Sequence, residues 1–292
     1  MRVAPEAFDM LDRLASSKGR WLALGATALV AGSFLAVFGD VLAQGVARLS
    51  WDFLTTPPTQ GGRGGGIAPL LVSTGLLLAV CLAVCLPLAL GTALFLTESA
   101  FARGRVGHGL SYCLDVLAGV PSIVFGLFGN AFFSVTLGLG FSILSGGLTL
   151  ACMALPLLAR ATEESLRAVP VETRLAAAAL GLSQTRTIGQ LLLTAAAPGI
   201  AAGLVLAIGR ALAETAALIF TSGYVDRMPE SLLDSGRALS VHIYDLALNI
   251  SGGEPSAYAT ALVLIALLVT LNLLSHRLLM RFGSRSAKGA WA

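Results

Sequence analysis

The chain has 292 residues, of which 56% are hydrophobic and 12% charged, and its net charge is +3. Ordinary soluble domains carry roughly 25% charged residues, and a chain of this length could not hide so much apolar surface from water. Several apolar runs exceed the ~18 to 20 residues a helix needs to cross a bilayer. They are continuous and do not alternate with period two, which excludes a β-barrel. The remaining class is an all-α polytopic membrane protein seated in a lipid bilayer.

In chain order, residues 1–20 form a polar arm with Asp9, Asp12 and Arg13. No small-residue cleavage site closely follows the first apolar run, so the start reads as a signal anchor. The first span is expected from Trp21 to about Phe38. A loop closes residues 21–69, ending in "SWDFLTTPPTQGGRGGGIAP", whose Pro and Gly density forbids a long helix. A core of five further spans fills 70–280. The second span runs from about Leu70 to Leu96 and the third from about Leu110 to Phe133, broken by "GVPS" at Gly119 to Ser122. A Gly-rich turn near Gly138 leads to a fourth span, about Ile143 to Ala159. An amphipathic stretch, Arg160 to Ala197, precedes a fifth span, about Pro198 to Phe220. A polar loop, Thr221 to Ser256, precedes a sixth, about Tyr258 to Leu279. Residues 281–292 are a basic tail.

Six spans place both termini on one side. Fourteen Lys and Arg residues fall on that side, in the arm, the tail and the loops around Arg103 and Arg160–Arg186. The opposite loops hold Arg48, Arg63, Arg227 and Arg237. The positive-inside bias therefore puts both termini and the 160–197 loop in the cytoplasm. Cys81, Cys85, Cys113 and Cys152 lie in apolar stretches and read as small core residues, although Cys81 and Cys85 are one turn apart.

The 160–197 loop is the most organised polar segment. Thr162 is placed to cap a short helix, with Glu163 and Glu164 near its positive end. Pro170 stops that helix. A second starts near Val171 and Glu172 and ends at Gly181, which supplies a left-handed cap. Such a pair of helices either lies on lipid or docks a cytoplasmic partner.

The spacing of Ala176 and Ala177, then Gly181, then an apolar return to the membrane resembles the coupling loop of ABC-importer permeases. "DVLAGVPSIVFGLFG", "GGLTLACMALPLLARATEESLRAVP", "AIGRALAETAALIFTSG" and "LSVHIYDLA" are similar, in that order, to phosphate-specific permeases, most of all to the A-type subunit. Leu175 stands where that pattern usually has Glu, Thr194 replaces a late Pro, and "AETAAL" stands for "GETAPL". The resemblance implies a type I ABC importer permease fold with six transmembrane helices and a coupling-helix loop. It implies a second homologous (C-type) permease subunit, two cytoplasmic ATPase subunits and a periplasmic phosphate-binding protein as partners. It also implies a location in the bacterial inner membrane. The coupling residues would be Glu163, Glu164, Arg167, Glu172, Arg174, Ala176, Ala177 and Gly181.

The sequence has no Gly-x-x-x-x-Gly-Lys-Ser/Thr phosphate loop, and "GGRGGG" lacks the Lys. The expectation is a conduit and not an enzyme, with ATP and Mg²⁺ on partner subunits, no cofactor on this chain and no nucleic-acid partner. Arg210 and Glu214, in "GRALAETAALIF", are full charges in a membrane-type run. Counted from Pro198, Arg210 would lie ~18 Å along the helix, near the bilayer midplane, with Glu214 on the same face. An isolated charge there is expensive, so the pair either neutralises itself as helix glue or meets substrate. A guanidinium matches a tetrahedral oxyanion by bidentate hydrogen bonds, and Thr215 adds a hydroxyl beside it. Ser122 follows Pro121 at the start of a half-helix, where free amides favour anions. Asp115 reads as a helix-end or interhelix contact and Glu98 as a solvated group at the rim. Two rivals remain: a same-fold permease for sulfate or molybdate, against which the third-span signature and the Arg210–Glu214 pair argue, and a stand-alone ion-coupled carrier, which predicts an inverted repeat that the sequence does not show.

Overall fold

The computed structural model describes residues 17–289; Arg2, Asp9, Asp12 and Arg13 of the arm and the last three tail residues lie outside them. The long elements are α1 (Ser17–Arg48), α3 (Ala68–Glu98), α6 (Ile143–Arg167), α8 (Gln184–Ala213) and α11 (Glu254–Gly289). Among the described residues, five helices are long and apolar enough to cross a membrane. A sixth span arises if α4 (Arg105–Gly119) and α5 (Ser122–Thr136), bent by 105° at their junction, are counted together. The shorter helices are α2 (Trp51–Thr55), α7 (Val171–Ala179), α9 (Ala216–Ile219) and α10 (Leu239–Leu248). Strands β1 (Pro58–Thr59) and β2 (Gly64–Gly65) pair antiparallel in the loop after α2.

The core sits where α3 packs on α6. Leu77, Cys81, Cys85 and Ala89 of α3 are buried against Leu150, Ala154 and Leu158 of α6, with Ala207 and Ala211 of α8 closing the third side. In lipid no hydrophobic drive brings helices together, so close backbone approach through small residues must do it. Gly147 shows the constraint: a Cβ there would come within 2.6 Å of Val80 Cβ and 3.2 Å of the Leu77 carbonyl oxygen. The stripe Gly199 and Gly203 on α8 repeats it, lying against Ser165 and Ala161 of α6. Gly147→Leu is expected to force α3 from α6 at a cost of about 3 kcal/mol. A fall in the unfolding midpoint of the detergent-solubilised chain, absent for leucine at the open position Gly91, checks it.

The helix ends are closed by named partners. Ser142 Oγ accepts from the Ser145 amide at 3.1 Å. The amides of Ser142, Ile143 and Leu144 donate to carbonyls of Thr221, Asp234 and Leu232, so the 221–238 segment satisfies donors that the start of α6 leaves open. At the same end, Arg48 donates to the Arg63 carbonyl, and Ser256 Oγ donates to that oxygen at 3.0 Å.

Several expected boundaries change. The first helix continues ten residues past Phe38, to Arg48. Thr162 caps nothing: α6 is one helix from Ile143 to Arg167, and Thr162 Oγ1 is buried without a partner. The expected first helix of the loop is thus the end of the fourth span. The fifth span begins at Gln184, passes through a wide π turn at Thr187–Leu192, and stops at Ala213. A polar loop was expected over Thr221–Ser256, yet it contains α10, with Leu239, Val241, His242 and Leu246 buried. An unbroken apolar run fixes that a helix exists, but capping and tertiary contacts decide where it ends.

A site at three helix ends

Residues from three separate segments meet around Glu214. Helix α8 ends at Ala213, and Glu214 adopts an extended conformation (φ −70°, ψ 128°) as its C-cap. Arg210 is in the last turn of α8, where a cation is favoured by the helix dipole. Its Nε lies 4.0 Å from Glu214 Oε1. The expected mid-helix position of Arg210 is therefore corrected: the pair bridges a helix terminus, because α8 starts fourteen residues before Pro198 and stops at Ala213.

Ser122 reaches the same carboxylate. Pro121 is the N-cap of α5, and Ser122 is its first residue. Proline has no N–H to continue α4, so the chain turns there and α5 restarts across the bundle. The Ser122 hydroxyl lies beside the Glu214 carboxylate. Gly126, one turn on, sets the approach: a Cβ there would come within 2.8 Å of Ala217 Cα. Only a residue without a side chain lets α5 lie this close to α9. Thr215, the N-cap of α9, makes no side-chain cap bond and is half-buried beside the pair.

Ser240 of α10 completes the junction. Its Oγ donates to the Glu214 carbonyl at 2.6 Å, satisfying one acceptor at the end of α8. The Leu239 amide donates to Thr74 Oγ1 at 3.0 Å. A void of about 10 Å³ lies here among Thr74, Leu77, Leu150, Ala211 and Ser240. Leu77 is nine residues into α3, about 14 Å from its start, so the site is nearer the loop-bearing end of α3 than its other end.

The Arg210–Glu214 pair differs from the ion pairs at the other end of α6. There Glu163 is 8% exposed and takes Arg160 at 2.8 Å and Arg167 at 2.9 Å. Arg210 keeps 42% of its side chain exposed, and its Nε comes no nearer to Glu214 Oε1 than 4.0 Å. A pair that serves as glue is short and covered. This one is open on the guanidinium side and covered on the carboxylate side, so Arg210 retains donors for an anion.

The expected coupling residues divide in two. Glu164, Arg167, Glu172, Ala176 and Gly181 are exposed, and Gly181 has φ +67°, as a left-handed cap requires. Glu163 and Ala177 are buried, so neither side chain faces outward. Arg174 turns inward, to Glu98 Oε1 at 2.8 Å and to the carbonyls of Val169 and Leu166. Glu98 is therefore paired and largely covered, where the sequence pointed to a solvated group. Asp115 is an interhelix contact, as expected, through Arg160.

Two residues escaped the sequence reading. In the sequence Arg160 stands out only as a positive charge, yet it binds Asp115, Glu163 and Ser111. Arg160, Glu163 and Arg167 are spaced three and four apart, so the signal was present once the segment is one helix. Ser240 lies in an apolar run, and only tertiary contact gives it a role.

The profile of the binding-protein-dependent transport system inner membrane component family matches residues 89–287. The chain belongs to this family. It is a multi-pass membrane transport subunit, of the ABC transporter permease kind. The probable ABC transporter permease protein YqgI of Bacillus subtilis is 33% identical, over 80% of this chain and 83% of that protein. The phosphate transport system permease protein PstA 2 of Mycobacterium tuberculosis is 32% identical, over 79% of this chain and 76% of that protein. The phosphate transport system permease protein PstA of Xylella fastidiosa is 28% identical, over 88% of this chain and 93% of that protein. Among solved structures, an inward-facing form of the MetNI methionine ABC transporter aligns with a TM-score of 0.55 at 16% identity. It covers 73% of this chain and 96% of that one. At that identity the likeness speaks for the fold: the type I ABC importer permease arrangement of all-α spans with a coupling loop.

Proposed function

We propose that this ABC permease is one half of the membrane pathway of an ATP-driven importer of inorganic phosphate. A second, related permease subunit supplies the other half. Two ATPase subunits hold ATP and Mg²⁺ and dock on the 162–181 region, and this chain binds no cofactor of its own. A periplasmic phosphate-binding protein delivers cargo to the 221–256 loop. The Lys and Arg distribution sets both termini and the coupling loop in the cytoplasm.

The observation that carries the substrate assignment is the site itself. Arg210 is a half-exposed guanidinium beside a largely covered carboxylate that has Ser122 next to it. A guanidinium holds a tetrahedral oxyanion through two parallel hydrogen bonds. One cation gives a brief stop and not a trap, which suits a pathway that must release its cargo. Glu214 accepts a hydrogen bond from a protonated phosphate oxygen, whereas sulfate carries no such proton at neutral pH. The phosphate transport permeases among the relatives support the same cargo.

The docking face rests on exposure. Val171, Leu175 and Leu180 are 58%, 63% and 77% exposed around α7. They form an apolar face with Glu172 as a neighbouring charge. Leu175, where the family pattern has Glu, gives this face an apolar grip on its ATPase.

The direct test is ATPase activity of the reconstituted complex with phosphate-loaded or sulfate-loaded binding protein. Stimulation by phosphate alone is expected; equal stimulation by both would remove the phosphate assignment. Glu214→Gln keeps the shape and loses the charge. It is expected to narrow the import preference for phosphate over sulfate by roughly tenfold, the scale of one charge-assisted hydrogen bond. Competition uptake with both oxyanions measures it.

A further inference from the structure

We propose that the Asp115–Arg160 contact is a clasp that transmits movement of the coupling loop to the Ser122–Glu214 contact through the bend at Pro121. The inference rests on the importer reading above and adds a route inside the chain.

The route is continuous in named contacts. Arg174 of α7 ties the loop to the end of α3 at Glu98 and to the end of α6 through the Leu166 carbonyl. Arg167 and Arg160 flank Glu163 and stiffen the last turns of α6. Arg160 then crosses to α4. Its Nε and Nη2 both donate to Asp115 Oδ1, at 3.0 and 2.6 Å, and Nη2 also donates to the Ser111 carbonyl and hydroxyl at 2.7 and 2.8 Å. Asp115 lies one turn before Gly119, the last residue of α4. Beyond it the chain turns by 105°, and the first residue of α5 is Ser122. Ser122 lies beside the Glu214 carboxylate, and Gly126, one turn on, presses α5 against Ala217 of α9.

Two physical features make this a lever and not a weld. The bend has little to break, because Pro121 has no N–H and the Val120 amide makes only a short-range bond to Leu117 at 3.2 Å. The clasp puts two guanidinium N–H donors on one carboxylate oxygen, so it is directional, yet Asp115 is 65% exposed. No packing among the described residues locks that carboxylate in place, so the clasp can open and close within a transport cycle. When α6 and α7 shift together under the ATPases, Arg160 carries α4 with them. The hinge converts that shift into a change in how α5, with Ser122, sits against Glu214 and α9, and so in how free Arg210 is to hold an anion. Asp115 and Arg160 are thus positioning residues for the pathway, some distance from it along the chain.

The test uses the complete complex in proteoliposomes. Asp115→Asn and Arg160→Lys are each compared with the unaltered complex for assembly, basal ATPase activity and phosphate imported per ATP hydrolysed. Both variants are expected to assemble and hydrolyse ATP at the basal rate while the import ratio falls roughly fivefold or more, the lower range of an allosteric coupling. Asp115→Glu, which can still accept from Arg160, is expected to recover part of the ratio. In the double variant Asp115→Asn/Ser122→Ala, the loss is expected to equal the larger single loss, because both lie on one route. An unchanged import ratio in both single variants would overturn the clasp. Loss of assembly in both would overturn it too, by making it a folding contact. Failure of the unaltered complex to import phosphate would instead strike the cargo assignment, and the same ratio measured with its true cargo would still judge the clasp.

Discussion

Arg210→Ala is expected to lower phosphate import by roughly tenfold to a hundredfold, the loss of one or two hydrogen bonds to a charged group. The complex should still assemble, because Arg210 is 42% exposed and its contact with Glu214 is 4.0 Å long. Little packing is lost when it is truncated. Arg210→Lys keeps the charge and loses the fork, so an intermediate rate is expected. The decisive variant is Arg210→Ala/Glu214→Gln. If the two charges only neutralised one another, removing both would restore a working, apolar helix end. The open geometry leads to the opposite expectation: the double variant remains as impaired as Arg210→Ala. Uptake of radiolabelled phosphate, normalised to complex in the membrane, separates the two, and a double variant near the unaltered rate would return the pair to the role of glue.

Glu163→Gln has the second large expected effect, on stability. Glu163 is 8% exposed and accepts from Arg160 at 2.8 Å and from Arg167 at 2.9 and 3.0 Å. Removing one partner of a covered ion pair costs several kcal/mol. Two features reduce it here: Arg160 keeps Asp115, and Arg167 is 60% exposed and can return to water. A loss of about 2 kcal/mol is expected. Glu164→Gln and Glu172→Gln, at exposed positions of the same loop, should change stability by less than about 0.5 kcal/mol. Unfolding midpoints of the three solubilised variants check the ordering. If Glu163 instead served as a docking charge, all three would leave the midpoint alone and differ only in ATPase binding.

These contrasts mark where the sequence was legible. Long apolar runs and a 12% charged fraction leave a helical membrane protein as the option, since backbone polar groups in lipid must be satisfied within each span. The break at Pro121 and the cap at Gly181 were also legible, because each follows from one residue's covalent structure. The joining of Arg210 to Glu214 followed from helical spacing, and it survived although the helix ends between them.

Other features depended on residues distant in the chain. Glu163 and Glu172 look alike in sequence, and only the packing of α6 against α3 and α4 covers one and exposes the other. Thr162 has the chemistry of a cap, but α6 runs through it because the start of the helix is satisfied from Ser142 and the 221–238 segment. Ser122 and Glu214, 92 positions apart, meet because Gly126 lets α5 press on α9. Composition and local covalent geometry thus determined the class, the spans and the breaks. The tertiary structure decided which charges are paired, which are open and which broken ends converge, because close approach between helices depends on small residues facing one another across the bundle.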